Sequence, residues 1–395
     1  MISCVSLDRI CTALTKAFGD IGASFGGKSV ILAGDFAQLP PPGNGFSLYS
    51  GGIGMSTKSS SNYVQRAVIG KAQWHTFTTV VILRENMRQK GMDASDVAFR
   101  TALVNMRYGR CTSDDVLLLR SRVYHPTRPS PVDSLDGFEE VSIITARNSH
   151  RDAINRDASR LFAERHGKVL HHFHSIDKWG RVKNSESIRE AQRLYKATVD
   201  PVRRSDVIQP ELQRVLWKLL PELTKHHAGV LSLCEGMPVV IKNNEATELG
   251  ITNGATGFVA GWKSHSDAVG REYLDVLFVR LDRPRRDVHL PGLPVNVVPL
   301  TRLTKSTQCT LPINDLIISI QRGQVSCLQN FAITDYGCQG QTRYRNVIHP
   351  RHSHDHLSMY TMLSRSSSLK DTIILEGFDA SKIQRGASAA LIREY

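Results

Sequence analysis

Short apolar runs, each followed by a polar loop, are the feature that most constrains how this chain can fold. They lie at Ser29–Ala33, Val80–Leu83, Val141–Thr145, Phe331–Thr334 and Thr372–Leu375. Runs of this length without polar alternation are typical of strands buried on both faces of a sheet. Amphipathic patterns around 7–18, 97–122 and 149–166 predict helices between them. The sequence therefore predicts an α/β fold built on parallel sheets.

The pattern changes around residues 237–300. Several β-rich runs succeed one another there and are separated by turn signals, which predicts a small inserted β-barrel. The stretch 167–230 is polar and rich in Lys, Arg and His, and its order is not predicted.

The charge balance is strongly basic, with a formal net charge of +13 over 395 residues. That excess favours polyanionic partners, although a basic solvated surface is the simpler alternative. Seven scattered cysteines without a Cys-x-x-Cys pair argue against a disulfide framework or a structural zinc site. Because neither a secretory signal nor an apolar stretch of about 18 residues is present, a reducing compartment is expected and no membrane partner is predicted.

Polar side chains lie directly after the first two apolar runs and within the last part of the chain. Asp35 and Gln38 come after the first run and could orient a water or sense a phosphate, or Asp35 could simply cap the next turn. Arg88 and Arg365 each follow or interrupt an apolar segment, where a planar guanidinium suits bidentate phosphate contact. Two surface arginines, or arginines in salt bridges, are the plain alternative.

Three further candidates are weaker by themselves. The turn after Thr334 is rich in small and amide side chains and could leave backbone N–H groups for an anion, while Tyr336 could stack on a base or pack in the turn. Asn253, before a glycine, is first of all a hairpin-turn signal. The spacing of the histidines within 349–356 would allow zinc binding, but a solvated polar loop is the preferred interpretation, so no metal site is predicted.

The order of these motifs carries a resemblance to a known family. GDFAQLPP (34–41), LRENMRQ (83–89), FAITDYGCQGQT (331–342) and YTMLSR (360–365) resemble, in that order, the third to sixth motifs of Pif-like superfamily-one DNA helicases. GMPVVI (236–241) through NGATG (253–257) looks like the entry into the inserted β-barrel of that family. The Thr-Asp-Tyr variant at 334–336 and the tail at 376–388 resemble fungal and Helitron-type members.

The resemblance implies two RecA-like lobes that sandwich ATP and Mg²⁺ and move 5′-to-3′ along single-stranded or forked DNA. It assigns 1–84 to the rest of a truncated first lobe, 85–235 with 330–395 to the second lobe, and 236–329 to the barrel. The nucleotide would contact Asp35, Gln38, Arg88, Gly340 and Arg365, of which Gln38, Arg88 and Arg365 are the catalytic set. The DNA would contact Thr334, Tyr336, Gln339 and Asn253.

The chain also departs from the family pattern. It lacks the Asp-Glu pair that would hold Mg²⁺. The segment 22–29 has the spacing Gly-x-x-x-x-Gly-Lys-Ser, but it precedes an apolar run instead of following a predicted strand and opening a helix, so no loop for the β- and γ-phosphates is predicted. The first residues resemble the segment directly after that pair in the family, so a truncated chain is expected. Tyr336 and Gly337 stand where the family usually has His-Lys, which removes a positive charge.

Two functions remain open at this point. The first is the C-terminal part of a nuclear ATP-dependent DNA helicase of repair, recombination or telomere maintenance, inactive alone. The second is a non-catalytic nucleic-acid-binding remnant of a helicase or transposon. Whether this chain itself hydrolyses ATP stays open, and no protein partner is inferable.

Overall fold

The computed structural model describes residues 2–43, 45–51, 53, 61–138, 141–180, 207–312 and 315–394. Its helices are α1 (Cys4–Phe18), α2 (Asn62–Trp74), α3 (Ala94–Arg107), α4 (Ser113–Arg120), α5 (Asn148–Arg165), α6 (Pro210–Lys218), α7 (His356–Leu363), α8 (Ser381–Gln384) and α9 (Ala389–Ile392). Its strands are β1 (Val123–Tyr124), β2 (Ile143–Thr145), β3 (His171–His174), β4 (Ile176–Trp179), β5 (Val230–Leu233), β6 (Pro238–Ile241), β7 (Thr256–Ser266), β8 (Glu272–Leu281), β9 (Val297–Thr310), β10 (Ile317–Val325), β11 (Cys327–Gln329), β12 (Ala332–Thr334), β13 (Asn346–His349) and β14 (Thr372–Leu375).

The chain divides into two compact units. The first comprises Met1–Ala146 with Asp335–Tyr395, and the second comprises Arg147–Thr334. The lobe and barrel boundaries expected from the family resemblance follow a different division and stay predictions.

The first unit contains the parallel sheet that the apolar runs predicted. Its strands lie in the order β1–β14–β13–β2, and every neighbouring pair is parallel. Val347 in β13 pairs with Ile373 on one side and Ile143 on the other, and its side chain is buried. The α/β class with a parallel sheet is therefore confirmed.

Two of the predicted buried strands are wrong. Ser29–Ala33 and Val80–Leu83 form no strand, and no described residue pairs with them. Val81 is 80% exposed and Leu83 is 91% exposed, whereas Val30 and Leu32 pack on a small core under α1. A strand needs a neighbour for its backbone N–H and C=O groups, and apolar content alone does not supply one.

The helices agree with the sequence more closely. Ser3 caps α1 with its side chain, which accepts from the Ser6 backbone N–H. The single helix expected around 97–122 is divided into α3 and α4, because Gly109 adopts a left-handed φ of 62° between them. Asp115 completes a capping box with Thr112 and starts the second of these helices.

The second unit is β-rich over a longer range than the sequence indicated. Its main sheet runs β11–β6–β7–β8–β9–β10–β4, and β3 pairs with both β5 and β8. The strands β3 and β4 lie in the stretch 167–230, and β5 begins at its last residue. The sequence did not predict the order of this stretch, of which 181–206 lie outside the described residues. Closure of these strands into a barrel stays a prediction.

A buried ion pair lies inside the second unit. The Nε and NH2 groups of Arg322 donate to the two carboxylate oxygens of Asp177 over 2.9 and 2.7 Å, and both side chains are fully buried. Arg322 NH1 also donates to the backbone oxygen of His227 over 3.1 Å. Such a pair needs further hydrogen bonds to offset the loss of water, and the backbone oxygens around it accept them.

His227 gives the second unit a predictable dependence on pH. Its Nε2 lies 3.2 and 3.1 Å from the backbone oxygens of Leu303 and Arg322, so this nitrogen carries the proton of the neutral ring. Burial, with a smaller effect of the Lys305 charge, lowers the pKa of His227 from 6.5 to about 4. The unfolded chain therefore binds more protons than the folded chain between these values.

We predict that the second unit loses stability as the pH falls from about 6.5 towards 4, by up to roughly 3 kcal/mol. A His227→Gln variant retains an amide donor but does not titrate, so its stability should change less over the same window. Urea unfolding at pH 7 and pH 4.5, followed by tryptophan fluorescence, measures both. Equal pH slopes for the variant and the parent would contradict the assignment.

A second prediction concerns the two unpaired apolar segments. Amides in 29–33 and 80–83 should exchange with solvent near the rate of an unstructured peptide. Amides of Val347 and Ile373, inside the sheet, should exchange on the order of a thousandfold more slowly. Hydrogen exchange with mass spectrometry on the whole chain makes the comparison. Equal protection in both sets would mean that these segments are paired.

Candidate nucleotide site

The predicted nucleotide-binding side chains all lie in the first unit. They come from the turn at 35–38, the segment 86–89, the loop 335–342 and the residues directly after α7. Asp35 lies after an extended segment rather than a strand, because Ser29–Ala33 remains unpaired.

Arg88 and Arg365 meet at Ser364. Arg88 donates from NH1 to the Ser364 backbone oxygen over 2.7 Å, and Arg365 donates from NH2 to the Ser364 hydroxyl oxygen over 2.7 Å. The two guanidinium groups also contact neighbouring loop residues, with Arg88 Nε 3.1 Å from Thr342 Oγ1 and Arg365 NH1 3.4 Å from the Gln341 backbone oxygen. All these acceptors are neutral, so two positive charges lie together in this part of the unit.

Arg365 is held in place by the preceding helix α7 and is buried. Its Nε donates to the Thr361 backbone oxygen over 2.9 Å, and the residue is 1% exposed. Burial and then the charge of Arg88 lower the pKa of Arg365. A negatively charged ligand would relieve this repulsion, but it can reach Arg365 only if the side chains around the guanidinium shift.

The segment that carries Arg88 is held in place by the side-chain amides of Asn86 and Gln89. Asn86 accepts at its side-chain oxygen from the backbone N–H groups of Arg88 and Gln89, both over 3.0 Å. Gln89 is buried and donates from Nε2 to the Ser366 backbone oxygen over 2.6 Å. These contacts explain how a segment without regular secondary structure holds Arg88 beside Ser364.

Asp35 is engaged by an arginine that the sequence did not single out. The NH1 and NH2 groups of Arg107 donate to the two carboxylate oxygens of Asp35, both over 2.9 Å. Arg107 NH1 also donates to the Tyr360 hydroxyl over 3.0 Å. Asp35 in addition accepts from the Ala37 backbone N–H over 3.0 Å and from Gln38 Nε2 over 3.4 Å. It therefore caps its own turn and forms an ion pair.

Tyr360 connects this ion pair to the helix that precedes Arg365. Tyr360 lies in α7. Burial, and then the charge of Asp35, raise the pKa of its hydroxyl, and the charge of Arg107 offsets part of this increase. The Arg107 guanidinium also lies 5.5 Å from the centre of the Tyr360 ring. Arg107 ends α3, and a basic residue in the last helical turn is common for reasons of the helix dipole, so no sequence signal marked it.

The loop 335–342 lies beside Arg88 and Arg365. Asp335 ties it to α7, because its carboxylate accepts from the Ser358 hydroxyl over 2.7 Å and from the Tyr336 backbone N–H over 2.8 Å. Burial raises the pKa of Asp335. Gln339 donates its backbone N–H to the Tyr336 oxygen over 3.4 Å, and Gly340 has a φ of 80° that favours glycine. This loop contacts both arginines through its last two residues, 341 and 342.

The predicted nucleic-acid contacts are divided between the two units. Tyr336 is 40% exposed in the first unit, and its hydroxyl donates to the Pro40 backbone oxygen over 3.1 Å. Thr334 is the last residue of β12 in the second unit. Asn253 is exposed in the turn before β7, where its backbone N–H donates to Asn244 Oδ1 over 2.8 Å. The role of all these residues in DNA binding stays a prediction.

The histidines of 349–356 do not assemble into a metal site. His349 Nε2 lies 3.4 Å from a Glu376 carboxylate oxygen, and His356 is buried in α7. Among the described residues, no group of three or more His, Cys, Asp or Glu side chains is arranged to hold a metal ion. Likewise, none of the described helices combines the length and apolar character that crossing a membrane requires.

The fold places the chain with helicases of known structure. A parallel α/β unit, in which two arginines lie beside a strand-end loop, is joined in one chain to a β-rich unit. A solved structure of Pif1 helicase from Candida albicans superposes on 100% of this chain, and the match covers 74% of the chain in that structure. The TM-score is 0.59 and the sequence identity is 18%. Pif1 helicase from Bacteroides in complex with ADP-AlF3 and ssDNA gives a TM-score of 0.61 at 19% identity over 72% of its chain.

Sequence comparison points to the same proteins. The ATP-dependent DNA helicase PIF1 of Rattus norvegicus is 27% identical over 260 residues, which is 66% of this chain and 30% of that protein. The protein of the same name from Mus musculus is 26% identical over 259 residues. No family model matches. The chain is homologous to Pif1 DNA helicases, has their fold, and spans about a third of the length of these curated relatives.

We predict that the paired arginines bind a polyphosphate. Inorganic tripolyphosphate should stabilise the chain against thermal unfolding, by about 1.4 kcal/mol at tenfold excess over its Kd. Arg88→Met should remove most of this stabilisation, because it deletes the more accessible cation. Arg128→Met, an exposed arginine of the same unit, is the matched control. Equal shifts in both variants would mean that the anion binds elsewhere.

Proposed function

We propose that this chain is the C-terminal portion of an ATP-dependent 5′-to-3′ DNA helicase that is inactive alone. In this proposal the whole helicase couples ATP hydrolysis to the unwinding of DNA. Its substrates are single-stranded or forked DNA, and its setting is nuclear, in DNA repair, recombination or telomere maintenance.

The observation that carries the proposal is the meeting of Arg88 and Arg365 at Ser364, beside the loop 335–342. These groups lie far apart in the sequence, and their hydrogen bonds in this place go to neutral oxygens. The homology to Pif1 DNA helicases and the Pif1 structures with bound ssDNA or ADP-AlF3 support the same interpretation. The net charge of +13 suits a polyanionic partner.

The role proposed for each side chain in the nucleotide site depends on its charge and its hydrogen-bonding groups. Arg88 and Arg365 neutralise the charge that develops on the γ-phosphoryl group during transfer, an effect worth about three to five orders of magnitude in rate for an arginine supplied in this way. Gln38 orients the attacking water or the γ-phosphate, and Asp35 holds the turn on which Gln38 lies. Gly340 belongs to the loop that faces the nucleotide.

The proposed DNA contacts are Thr334, Tyr336 and Gln339 around the loop 335–342, together with Asn253 in the turn before β7. Tyr336 is exposed enough to stack on a base, which contributes about 1 to 3 kcal/mol per base in single-strand binders. Thr334, Gln339 and Asn253 supply hydroxyl and amide groups for the sugar-phosphate backbone. The Tyr336 ring is neutral where the family usually has His-Lys, so it contributes stacking but no charge.

The residues present do not fit a magnesium ion. Asp35 is a carboxylate that the structure brings beside the arginine site, and both of its oxygens are bound by Arg107. The segment 22–29 has the spacing of a phosphate loop with a lysine, but it follows α1 and leads into an extended segment, so it is not the strand-to-helix turn that holds the β- and γ-phosphates. We therefore derive no metal-dependent step from this chain, and the proposed role of ATP rests on the two arginines and Gln38.

A second function, nucleic-acid binding without catalysis, is favoured by the lack of magnesium ligands and of a phosphate loop in the described part of the chain. The described residues contain no phosphate loop between a strand and a helix, and the apolar segments at 29–33 and 80–83 are exposed. Both features are consistent with a non-catalytic, nucleic-acid-binding remnant of a helicase or transposon. The two proposals differ in the sequence that lies upstream in the gene. An in-frame Asp-Glu pair and, further upstream, a Gly-Lys-Thr loop would favour the helicase, and stop codons close to the first codon would favour the remnant.

We predict that the purified chain shows no DNA-stimulated ATP hydrolysis, because positioning and charge neutralisation of the phosphates are incomplete. A coupled assay with and without single-stranded DNA measures this, and Arg365→Ala serves as the comparison. Turnover of roughly one per second that disappears in this variant would overturn the claim of inactivity.

A further inference from the structure

We propose that Arg107 is a positioning residue that fixes the Gln38 carboxamide, through Asp35, relative to the helix α7 that precedes Arg365. This inference rests on the proposed function of the site, which it extends by one residue. Arg107 itself is not placed on the nucleotide.

The contacts form one continuous chain. Gln38 Nε2 donates to Asp35, Asp35 receives two N–H groups of Arg107, and Arg107 donates to the Tyr360 hydroxyl. Tyr360 lies in α7, and the backbone oxygen of the next residue, 361, accepts from Arg365. The ion pair is therefore anchored on α7, and a change at Arg107 should alter the position of the turn that carries Gln38.

The geometry restricts this role to arginine. The two parallel hydrogen bonds to Asp35 are each 2.9 Å long, and a third reaches Tyr360 over 3.0 Å, which needs a planar group with several donors in a fixed fork. A lysine at this position could bind one carboxylate oxygen as a point charge but could not hold both oxygens and the hydroxyl together. The ion pair is partly shielded, with side chains 30% and 21% exposed.

The ion pair with Arg107 determines what Asp35 can do in the site. Because both of its oxygens are bound by Arg107, its role in the site is to orient the turn rather than to contact a phosphate. An Asp35→Asn variant keeps an oxygen for the Ala37 backbone N–H and so can retain the turn, but it loses the charge that holds Arg107. It thus separates turn formation from the ion pair.

The first experiment measures the turn directly in the whole chain without nucleotide. Hydrogen exchange of the segment 34–40 should become about five- to tenfold faster in Arg107→Met and in Asp35→Asn, and Tyr360→Phe should have a smaller effect. Arg107→Lys should recover only part of the protection. Arg110→Met, an exposed arginine three residues away, is the control and should match the parent. Unchanged exchange in Arg107→Met overturns the proposal.

The second experiment asks whether Arg107 acts through Gln38. The affinity for tripolyphosphate is measured for Gln38→Ala, for Arg107→Met and for the double variant. If Arg107 only positions Gln38, the double variant should bind no more weakly than Gln38→Ala alone. Independent, multiplicative losses would mean that Arg107 acts by another route and would also overturn the proposal.

The outcomes separate this inference from the proposed function. If neither Arg88→Met nor Gln38→Ala changes the affinity for tripolyphosphate, the nucleotide site is wrong. In that case the exchange experiment still decides whether Arg107 holds the turn. Faster exchange of 34–40 only in the Arg107, Asp35 and Tyr360 variants supports the positioning role in either case.

Discussion

A parallel strand is stable only when neighbouring strands accept and donate its backbone hydrogen bonds, and this requirement governs the first unit. β2, β13 and β14 have such neighbours and form the buried centre of the sheet. Two equally apolar segments, 29–33 and 80–83, have none among the described residues and remain extended and largely exposed. The difference lies in pairing, since both sets have the same kind of side chains.

The candidate site depends on the paired part of this unit. Asn346 in β13 donates from its buried amide to the Met362 backbone oxygen and to the Ser366 hydroxyl, both over 2.9 Å. This fixes the segment directly after α7, which includes Arg365. Arg88 has no regular element of its own and is placed by hydrogen bonds to that same segment. The buried amide of Asn346 thus links the sheet to the segment that positions both arginines.

The placement of positive charge is the chemical outcome of this packing. Arg107 has a carboxylate partner in Asp35, whereas the hydrogen bonds of Arg88 and Arg365 go to neutral oxygens. An arginine with a carboxylate partner is suited to hold structure, and arginines bonded to neutral oxygens are suited to receive an anion. The pair with neutral acceptors is the one that matches the helicase motifs, while the ion-paired arginine lies outside them.

The sequence by itself determined the α/β class, the helical regions of α1, α3, α4 and α5, strands such as β2, β12 and β14, and the residues that mark the resemblance to Pif-like helicases. Local periodicity and short motifs carry this information, because they depend on residues close in the chain. It did not determine which apolar runs would be strands, since pairing depends on residues far away. Only the tertiary structure decided that Asp35 is bound by Arg107, that Arg365 is buried, and that the β-rich unit includes β3, β4 and β5. Asp35 and Arg107 taken separately are a loop acid and a helix-end base, and their roles arise because folding brings one guanidinium against one carboxylate.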